Sequence, residues 1–303
     1  MKYDLILIRY GELSLKSTYV RRQFESTLVN NIKHAFRSNN ISCRIHKERG
    51  RIYLSTDNIT EGISTLQKIF GITSVSPAIQ TTSDIKSISK LAISISKESI
   101  GKKKSFALRV TRTGTHEYTS RDVAVQVGND IVNAMKARVD LSNPDFELFI
   151  EIRNEKAFMF TEKMRGTGGL PLGTQGKILA IVDKPESLLA AWYLMRRGCK
   201  VQFVYTDESL ENILRPFIST WYANSDVFPM FQIENLYENI DTLTSEKKCK
   251  AIVTGHTLSK NPQQTLSEIS QLKQNSNFSI LHPLISMKEN EIKEKCKEIG
   301  VPL

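Results

Sequence analysis

The residues best placed for chemistry lie at a short join between an apolar run and an amphipathic one. Lys177–Val182 is typical of a buried parallel strand, and the segment from Ser187 onward is typical of a helix start. Backbone N–H groups at such a join bind phosphate, and glycines there let the backbone approach the anion. Only Asp183-Lys184-Pro185-Glu186 separates the two elements, without any glycine. The pattern therefore predicts a nucleotide-type sheet whose phosphate cradle is degenerate.

The residue types in this join oppose anion binding. Pro185 lacks the N–H donor that a phosphate would need, and the carboxylates of Asp183 and Glu186 stand where the anion would sit.

Gly255 and His256 follow a second apolar run, at the sheet edge where ligands of such folds bind. A purely structural histidine is the alternative for His256. The predicted residues of this degenerate nucleotide site are Asp183, Ser187, Gly255 and His256. No residue is predicted to be catalytic.

Positive charge is concentrated in the first 175 residues. The chain carries 42 Lys and Arg against 32 Asp and Glu, a net charge of +10. Residues 1–75 contribute +6, residues 76–175 contribute +4, and residues 176–303 are neutral. A basic half beside a neutral half indicates a polyanion-binding part joined to a part with another role.

Twelve basic side chains form the candidate RNA-binding set, because proteins bind RNA phosphates through Lys and Arg. Each one taken alone has a simpler explanation as a solvated charge, but the set spread over two predicted domains favours a folded RNA, recognised by shape and backbone. The set comprises Lys16, Arg21, Arg22, Lys102, Lys103, Lys104, Arg109, Arg112, Arg121, Arg153, Lys163 and Arg165.

Cysteine, histidine and apolar patterns exclude several classes of protein. Four cysteines far apart in the chain argue for a reducing compartment and against a zinc site or a disulfide framework. Five histidines show no metal-ligand spacing, so no metal site is predicted. The first nine residues have a strand pattern rather than a signal peptide, and no apolar run approaches the roughly 20 residues of a membrane span. We expect a cytoplasmic protein without membrane association.

The order of elements predicts three domains. A strand, a helix, a hairpin and a helix give an α+β domain over residues 1–75. A second α+β domain, of helix, strand, helix and hairpin, covers residues 76–168. From Lys177, strands and helices alternate, which predicts a doubly wound parallel α/β sheet in a third domain over residues 169–303.

Motifs along the chain resemble those of the tRNA 4-thiouridine synthetase family. One motif resembles its N-terminal ferredoxin-like domain, a second group its THUMP domain, and the others its PP-loop ATPase domain. The glycine-rich leader into the PP-loop is the most specific of them, and the resemblance covers nearly the whole chain. These motifs are Ile8–Lys16; Arg109–Arg112, Ser120, Asp122 and Gly128; Glu151–Arg153, Glu162-Lys163 and Gly168–Lys177; and Thr254-Gly255, Gln264-Thr265 and His282–Ile285.

The resemblance implies an enzyme that adenylates a tRNA uridine with ATP and Mg²⁺ and replaces its oxygen with sulfur. In that family the first two domains hold tRNA, and a cysteine takes sulfur as a persulfide from a partner desulfurase. The family's S-G-G-x-D-S signature is replaced here by Asp183–Ser187, one residue shorter and without either glycine. The family's catalytic cysteine lies beyond the equivalent of Ile299-Gly300, so we expect none here, and we expect Cys296 to be a packing residue.

These features together predict a tRNA-binding protein of uridine thiolation in which ATP binding and adenylation are weak or absent. A separate catalytic PP-loop protein or a cysteine desulfurase is the expected protein partner, and a homodimer is left open. Two alternatives remain: an active tRNA sulfurtransferase with an atypical ATP site, and a general RNA-binding scaffold with no part in thiolation.

Overall fold

The computed structural model describes residues 2–11, 17–99, 104–230, 233–259 and 261–303. It divides the chain into two compact units, which do not follow the three predicted domains segment by segment. Unit 1 comprises Met1–Arg9, Asn40–Gln67 and Ser74–Arg165, and unit 2 comprises Tyr10–Asn39, Lys68–Thr73 and Gly166–Leu303. The domain boundaries at residues 75 and 168 stay a prediction. No described helix is both long enough and apolar enough to cross a membrane.

The described residues form fourteen strands and nine helices, and in the C-terminal half the two types alternate, as the pattern predicts. The strands are β1 Leu5–Tyr10, β2 Arg44–Glu48, β3 Arg51–Ser55, β4 Ile72–Thr82, β5 Ser105–Thr113, β6 Arg138–Val139, β7 Phe146–Arg153, β8 Lys156–Phe160, β9 Met164–Arg165, β10 Lys177–Val182, β11 Lys200–Tyr205, β12 Val227–Pro229, β13 Ala251–Val253 and β14 Ser279–Leu281. The helices are α1 Thr18–Ser38, α2 Ile59–Gln67, α3 Ile85–Ser99, α4 Ser120–Met135, α5 Ser187–Arg196, α6 Glu208–Thr220, α7 Ile233–Glu246, α8 Pro262–Gln274 and α9 Glu289–Glu298.

The described strands β1 to β9 form one nine-stranded sheet in the order β2-β3-β1-β4-β8-β7-β5-β6, with β9 also paired to β4. The long strand β4 joins the strands of the first two predicted domains, a continuity that the sequence pattern did not indicate. Strands β3 and β7 lie four places apart in this order, which would separate them by about 19 Å in a flat sheet. Arg51 of β3 nevertheless bonds Glu151 of β7 at 2.6 Å. The sheet therefore curls strongly, and one of its faces becomes concave.

Alternation along β7 assigns its side chains to the two faces of this sheet. Leu148, Ile150 and Ile152 are fully buried and pack with α3 and α4. The intervening residues Phe149 and Glu151 point to the concave face, because successive strand side chains point to opposite sides. The apolar part of that face consists of Leu5, Leu7, Tyr53, Ala78, Phe158 and Phe160, with Phe149 packed against it.

Unit 2 contains the predicted doubly wound parallel sheet, in the order β12-β11-β10-β13-β14. All four pairings between these strands are parallel. From the central strand β10, strands β11 and β12 follow on one side of the sheet, and strands β13 and β14 follow on the other side. The switch in direction between β10 and β13 is the place where ligands bind in such sheets.

The glycine-rich stretch before β10 is hydrogen-bonded within unit 2. Gly71 N–H donates to the Gly168 carbonyl at 2.8 Å, and Leu170 N–H donates to the Arg196 carbonyl at 2.9 Å. Gly169 has a φ of +74°, and a Cβ there would lie 2.0 Å from the Arg196 carbonyl oxygen. Only glycine fits at this close approach between the stretch and the end of α5.

We expect Gly169→Ala to lower the free energy of unfolding of unit 2 by more than about 2 kcal/mol, because it adds both backbone strain and overlap. Gly300→Ala is a matched control, since Gly300 has a similar φ of +76° with nothing within 4 Å of an added Cβ. The control should cost about 1 kcal/mol from strain alone. Urea unfolding followed by the fluorescence of Trp192 and Trp221, both in unit 2, measures the difference. Equal destabilisation by the two variants would show that the approach to Arg196 contributes nothing.

Candidate nucleotide site and basic surface

The backbone donors at the start of α5 are already bonded inside the chain. Ser187 N–H donates to the Lys184 carbonyl at 3.1 Å, Leu188 N–H to Pro185 at 3.1 Å, and Leu189 N–H to Glu186 at 3.0 Å. Glu186 itself has helical torsions, φ −61° and ψ −22°. The helical turn thus extends backward into the join and uses the N–H groups that a phosphate would otherwise bind.

Three of the four predicted nucleotide-site residues meet at the switch point of the sheet. Ser187 is 1% exposed, and its hydroxyl donates to Asp183 Oδ1 at 2.5 Å. A Cβ on Gly255 would lie 2.5 Å from Ser187 Oγ and 2.8 Å from its Cα. The loop after β13 therefore packs directly on the first residue of α5. The sequence identified these residues from their positions at strand ends, but it could not show that they contact one another this closely.

The fourth predicted residue, His256, belongs to a buried network that includes His282. Thr254 Oγ1 lies 2.7 Å from Nδ1 of each histidine. A hydroxyl has one proton, so it donates to one ring and accepts from the N–H of the other. Burial lowers the pKa of both histidines, and the Asp183 carboxylate partly opposes this for His256. The network is therefore held neutral at physiological pH, which would add no positive charge for a phosphate.

Metal binding finds no support in the described residues, which contain no group of three or more His, Cys, Asp or Glu placed to hold an ion. His256 Nε2 lies 3.6 Å from a carboxylate oxygen of Glu268, which is an ion pair only if the histidine is protonated.

Cys296 is fully buried in the core of unit 2, and burial raises the pKa of its thiol to about 11. It has the environment expected of a packing residue.

The predicted RNA-binding residues are spread over both units. Lys16, Lys102 and Lys103 lie outside the described residues. Arg21 and Arg22 lie on α1 in unit 2, and the remaining seven lie in unit 1. The side chains of Arg22, Lys104, Arg121, Lys163 and Arg165 are exposed.

Several of these cations already have partners. Arg109 Nε donates to Glu147 Oε1 at 2.7 Å, and Arg21 Nε lies 3.8 Å from a Glu25 oxygen. Arg112 Nη1 donates to the Gly114 carbonyl at 3.0 Å. Because Arg109 and Arg112 stand three residues apart in β5, they point to opposite faces of the sheet. They cannot serve one flat binding surface together.

Arg153 belongs to a cluster that sequence reasoning missed. Its Nη1 donates to Glu151, which also binds Arg9 and Arg51. The available signal was a single arginine in each of the apolar strands β1 and β3, together with Glu151 and Arg153 at alternate positions of β7. The pairing order and curl of the sheet, which bring them together, could not be inferred from that signal.

Comparison with known proteins adds family evidence to this geometry. The model of the ThiI ferredoxin-like domain matches residues 5–76, the THUMP domain model matches 82–162, and the model of thiamine biosynthesis protein (ThiI) matches 227–302. The last match begins at β12, after the join between β10 and α5.

Curated relatives match nearly the whole chain. A probable tRNA sulfurtransferase of Methanobrevibacter smithii is 33% identical over 99% of this chain and 87% of the relative. A tRNA sulfurtransferase of Pyrobaculum aerophilum is 34% identical over 98% of this chain and 67% of the relative.

Two solved structures have the same fold. PH1313 from Pyrococcus horikoshii is 29% identical with a TM-score of 0.84, covering 98% of this chain and all of the other. A 4-thiouridine synthetase solved with RNA and bound ATP is 24% identical with a TM-score of 0.82, covering 99% of this chain and 85% of the other. These matches confirm the predicted ferredoxin-like, THUMP and PP-loop fold class and the resemblance from which it was inferred. The chain belongs to the tRNA sulfurtransferase family.

Proposed function

We propose that this protein binds tRNA and acts in uridine thiolation with impaired ATP-dependent adenylation of its own. The observation that carries the second part is the use of the Ser187, Leu188 and Leu189 N–H groups by the chain's own carbonyls. The first part is supported by the family, by the THUMP match at residues 82–162 and by the basic surplus of the first 175 residues.

The join between β10 and α5 does not fit a triphosphate. A phosphate there would have to break three backbone hydrogen bonds and approach the carboxylates of Asp183 and Glu186 at the helix N-terminus. It would also have to displace the loop at Gly255, which packs against Ser187. The solved relative that holds ATP has the same fold, so the fold itself admits ATP and the proposed impairment rests on the residues of this join. ATP and Mg²⁺ therefore enter no step that we assign to this chain.

Two alternatives each have an observation in their favour. Asp183, Ser187 and Gly255 still meet at the switch point, as a working site with an atypical ATP mode would require. The exposed cations Lys104, Arg121 and Arg165 would equally serve a general RNA-binding scaffold. A partner desulfurase, a separate catalytic PP-loop protein, a homodimer and a cytoplasmic location stay predictions from the sequence.

We expect the wild-type protein to show no ATP–pyrophosphate exchange in the presence of tRNA, because its phosphate donors are occupied. Replacing Asp183–Glu186 by Ser-Gly-Gly-Ala-Asp restores both glycines and the missing residue of the family signature. We expect this variant to bind ATP measurably in calorimetry and the wild type to bind it weakly or not at all. Robust exchange by the wild type, abolished by Ser187→Ala, would establish the active alternative instead.

We expect the double variant Lys104→Gln and Arg121→Gln to bind tRNA more weakly than the wild type. Its plot of log K against log salt should be shallower by roughly 0.7–0.9 for each phosphate that the variant no longer binds. Filter binding over a salt series measures both effects. The double variant Lys293→Gln and Lys297→Gln removes the same charge from α9 in the neutral half and should leave binding unchanged.

Whole tRNA and an unstructured RNA of equal length separate tRNA recognition from a scaffold. We expect tighter binding of tRNA at matched salt, because a folded RNA presents its phosphates in a fixed arrangement. Equal affinities would favour the scaffold, and equal weakening by the two double variants would place the binding surface elsewhere.

A further inference from the structure

One buried carboxylate on the concave face of unit 1 holds three guanidinium groups. Glu151 is 5% exposed. Its Oε1 accepts from Arg51 Nε at 2.6 Å and Arg153 Nη1 at 3.4 Å, and its Oε2 accepts from Arg9 Nη2 at 3.4 Å. The three arginines come from β3, β7 and β1, so the curl of the sheet assembles the cluster.

Positive charge in this cluster exceeds negative charge. Three arginines surround one carboxylate, and the exposed Lys163 lies beside them with its ammonium over the rings of Phe149 at 4.1 Å and Phe160 at 5.9 Å. Burial, followed by repulsion from Arg9, lowers the pKa of Lys163. The Glu151 and Glu147 carboxylates partly oppose this lowering, and an anion bound here would further counter the repulsion between Lys163 and Arg9.

Several guanidinium donors of the cluster already bind the chain itself: Arg9 Nη1 donates to Ser76 Oγ at 3.0 Å, Arg51 Nη1 to the Gly50 carbonyl at 2.6 Å, and Arg153 Nη2 to the Arg49 carbonyl at 2.6 Å. Arg153 Nε is buried without a hydrogen-bond partner among the described residues, so the cluster attracts an anion chiefly through its charge. The ammonium of Lys163 contacts aromatic rings rather than a carboxylate. The arginine side chains reach solvent at their edges, with 12–25% of each exposed. An RNA phosphate matches this arrangement, since guanidinium groups bind its oxygens with fixed geometry.

We propose that Arg9, Arg51, Arg153 and Lys163 form a phosphate-binding cluster for the tRNA backbone, with Glu151 as its positioning residue. The proposal rests on tRNA binding as the function. An acidic residue on a polyanion-binding surface ordinarily weakens binding, because its charge repels the phosphates. Glu151 would strengthen binding instead. Here the acid holds three cations in place and leaves the cluster with a net positive charge.

The matched pair Glu151→Gln and Glu147→Gln tests this role. Both residues lie on β7 and point to the same face, but Glu147 is 37% exposed and binds Arg109 in a neutral pair. We expect Glu151→Gln to weaken tRNA binding at least about fivefold despite removing a negative charge. Glu147→Gln should bind tRNA as well as the wild type or better. Filter binding with whole tRNA measures both variants, and urea unfolding confirms that each is folded.

Lys163→Gln keeps the test decisive if Glu151→Gln fails to fold, because Lys163 is exposed and packs on aromatic rings. It should make the salt dependence of tRNA binding shallower by roughly 0.7–0.9. Unchanged or tighter binding by Glu151→Gln, or an unchanged salt slope for Lys163→Gln, would overturn the cluster while the Lys104 and Arg121 variant could still support tRNA binding.

Inorganic pyrophosphate tests the cluster separately from tRNA. It should raise the melting temperature of the wild type relative to chloride at equal ionic strength, and raise it less for Arg51→Gln and Lys163→Gln. If the wild type binds no tRNA, the proposed function fails, and this comparison alone decides whether the cluster binds phosphate. Equal stabilisation of all three proteins would mean that it does not.

Discussion

A helix begins with only a few unpaired backbone N–H groups, and a ligand at the adjacent sheet edge can bind only those that the chain leaves unpaired. In α5 the chain's own carbonyls from Lys184 to Glu186 take three of them. Each such bond is worth about 1 kcal/mol net. A ligand must replace these bonds with better ones. The carboxylates of Asp183 and Glu186 make a polyphosphate a poor replacement.

The residues that stand in place of the family's glycine-rich signature favour the helical turn at this join. Pro185 fixes φ near −65°, which suits the first turn of a helix, and glycine-free segments lose less chain entropy on folding. Leu188, Leu189 and Met195 of α5 are fully buried in the core of unit 2. That core includes none of residues 183–187, so the packing of the parallel sheet does not depend on glycines at the join. The proposed loss of nucleotide binding therefore requires no change of fold.

Alternating strand and helix patterns were sufficient to predict the parallel sheet, since each element has its own periodicity. The contact between Gly255 and Ser187 could not be predicted in the same way, because it depends on how the loop after β13 packs on the start of α5, about 70 residues away in the chain. The nine-stranded sheet was missed because β4 continues across a predicted domain boundary. The spacing of Arg109 and Arg112 in β5 already places them on opposite faces, whereas their shared charge says nothing about which face each one occupies.

The net charge of the chain overestimates the number of basic side chains that are available to bind a polyanion. The pairs Arg109–Glu147 and Arg21–Glu25 are locally neutral, so these arginines are partly neutralised inside the protein. At Glu151 the balance is reversed, since one carboxylate gathers three guanidinium groups and cannot neutralise them. Two glutamates of strand β7 thus have opposite effects. Glu147 neutralises the charge of one arginine, whereas Glu151 holds three arginines close together. The number of cations around each acid, rather than the charge of the chain, determines where a phosphate is attracted.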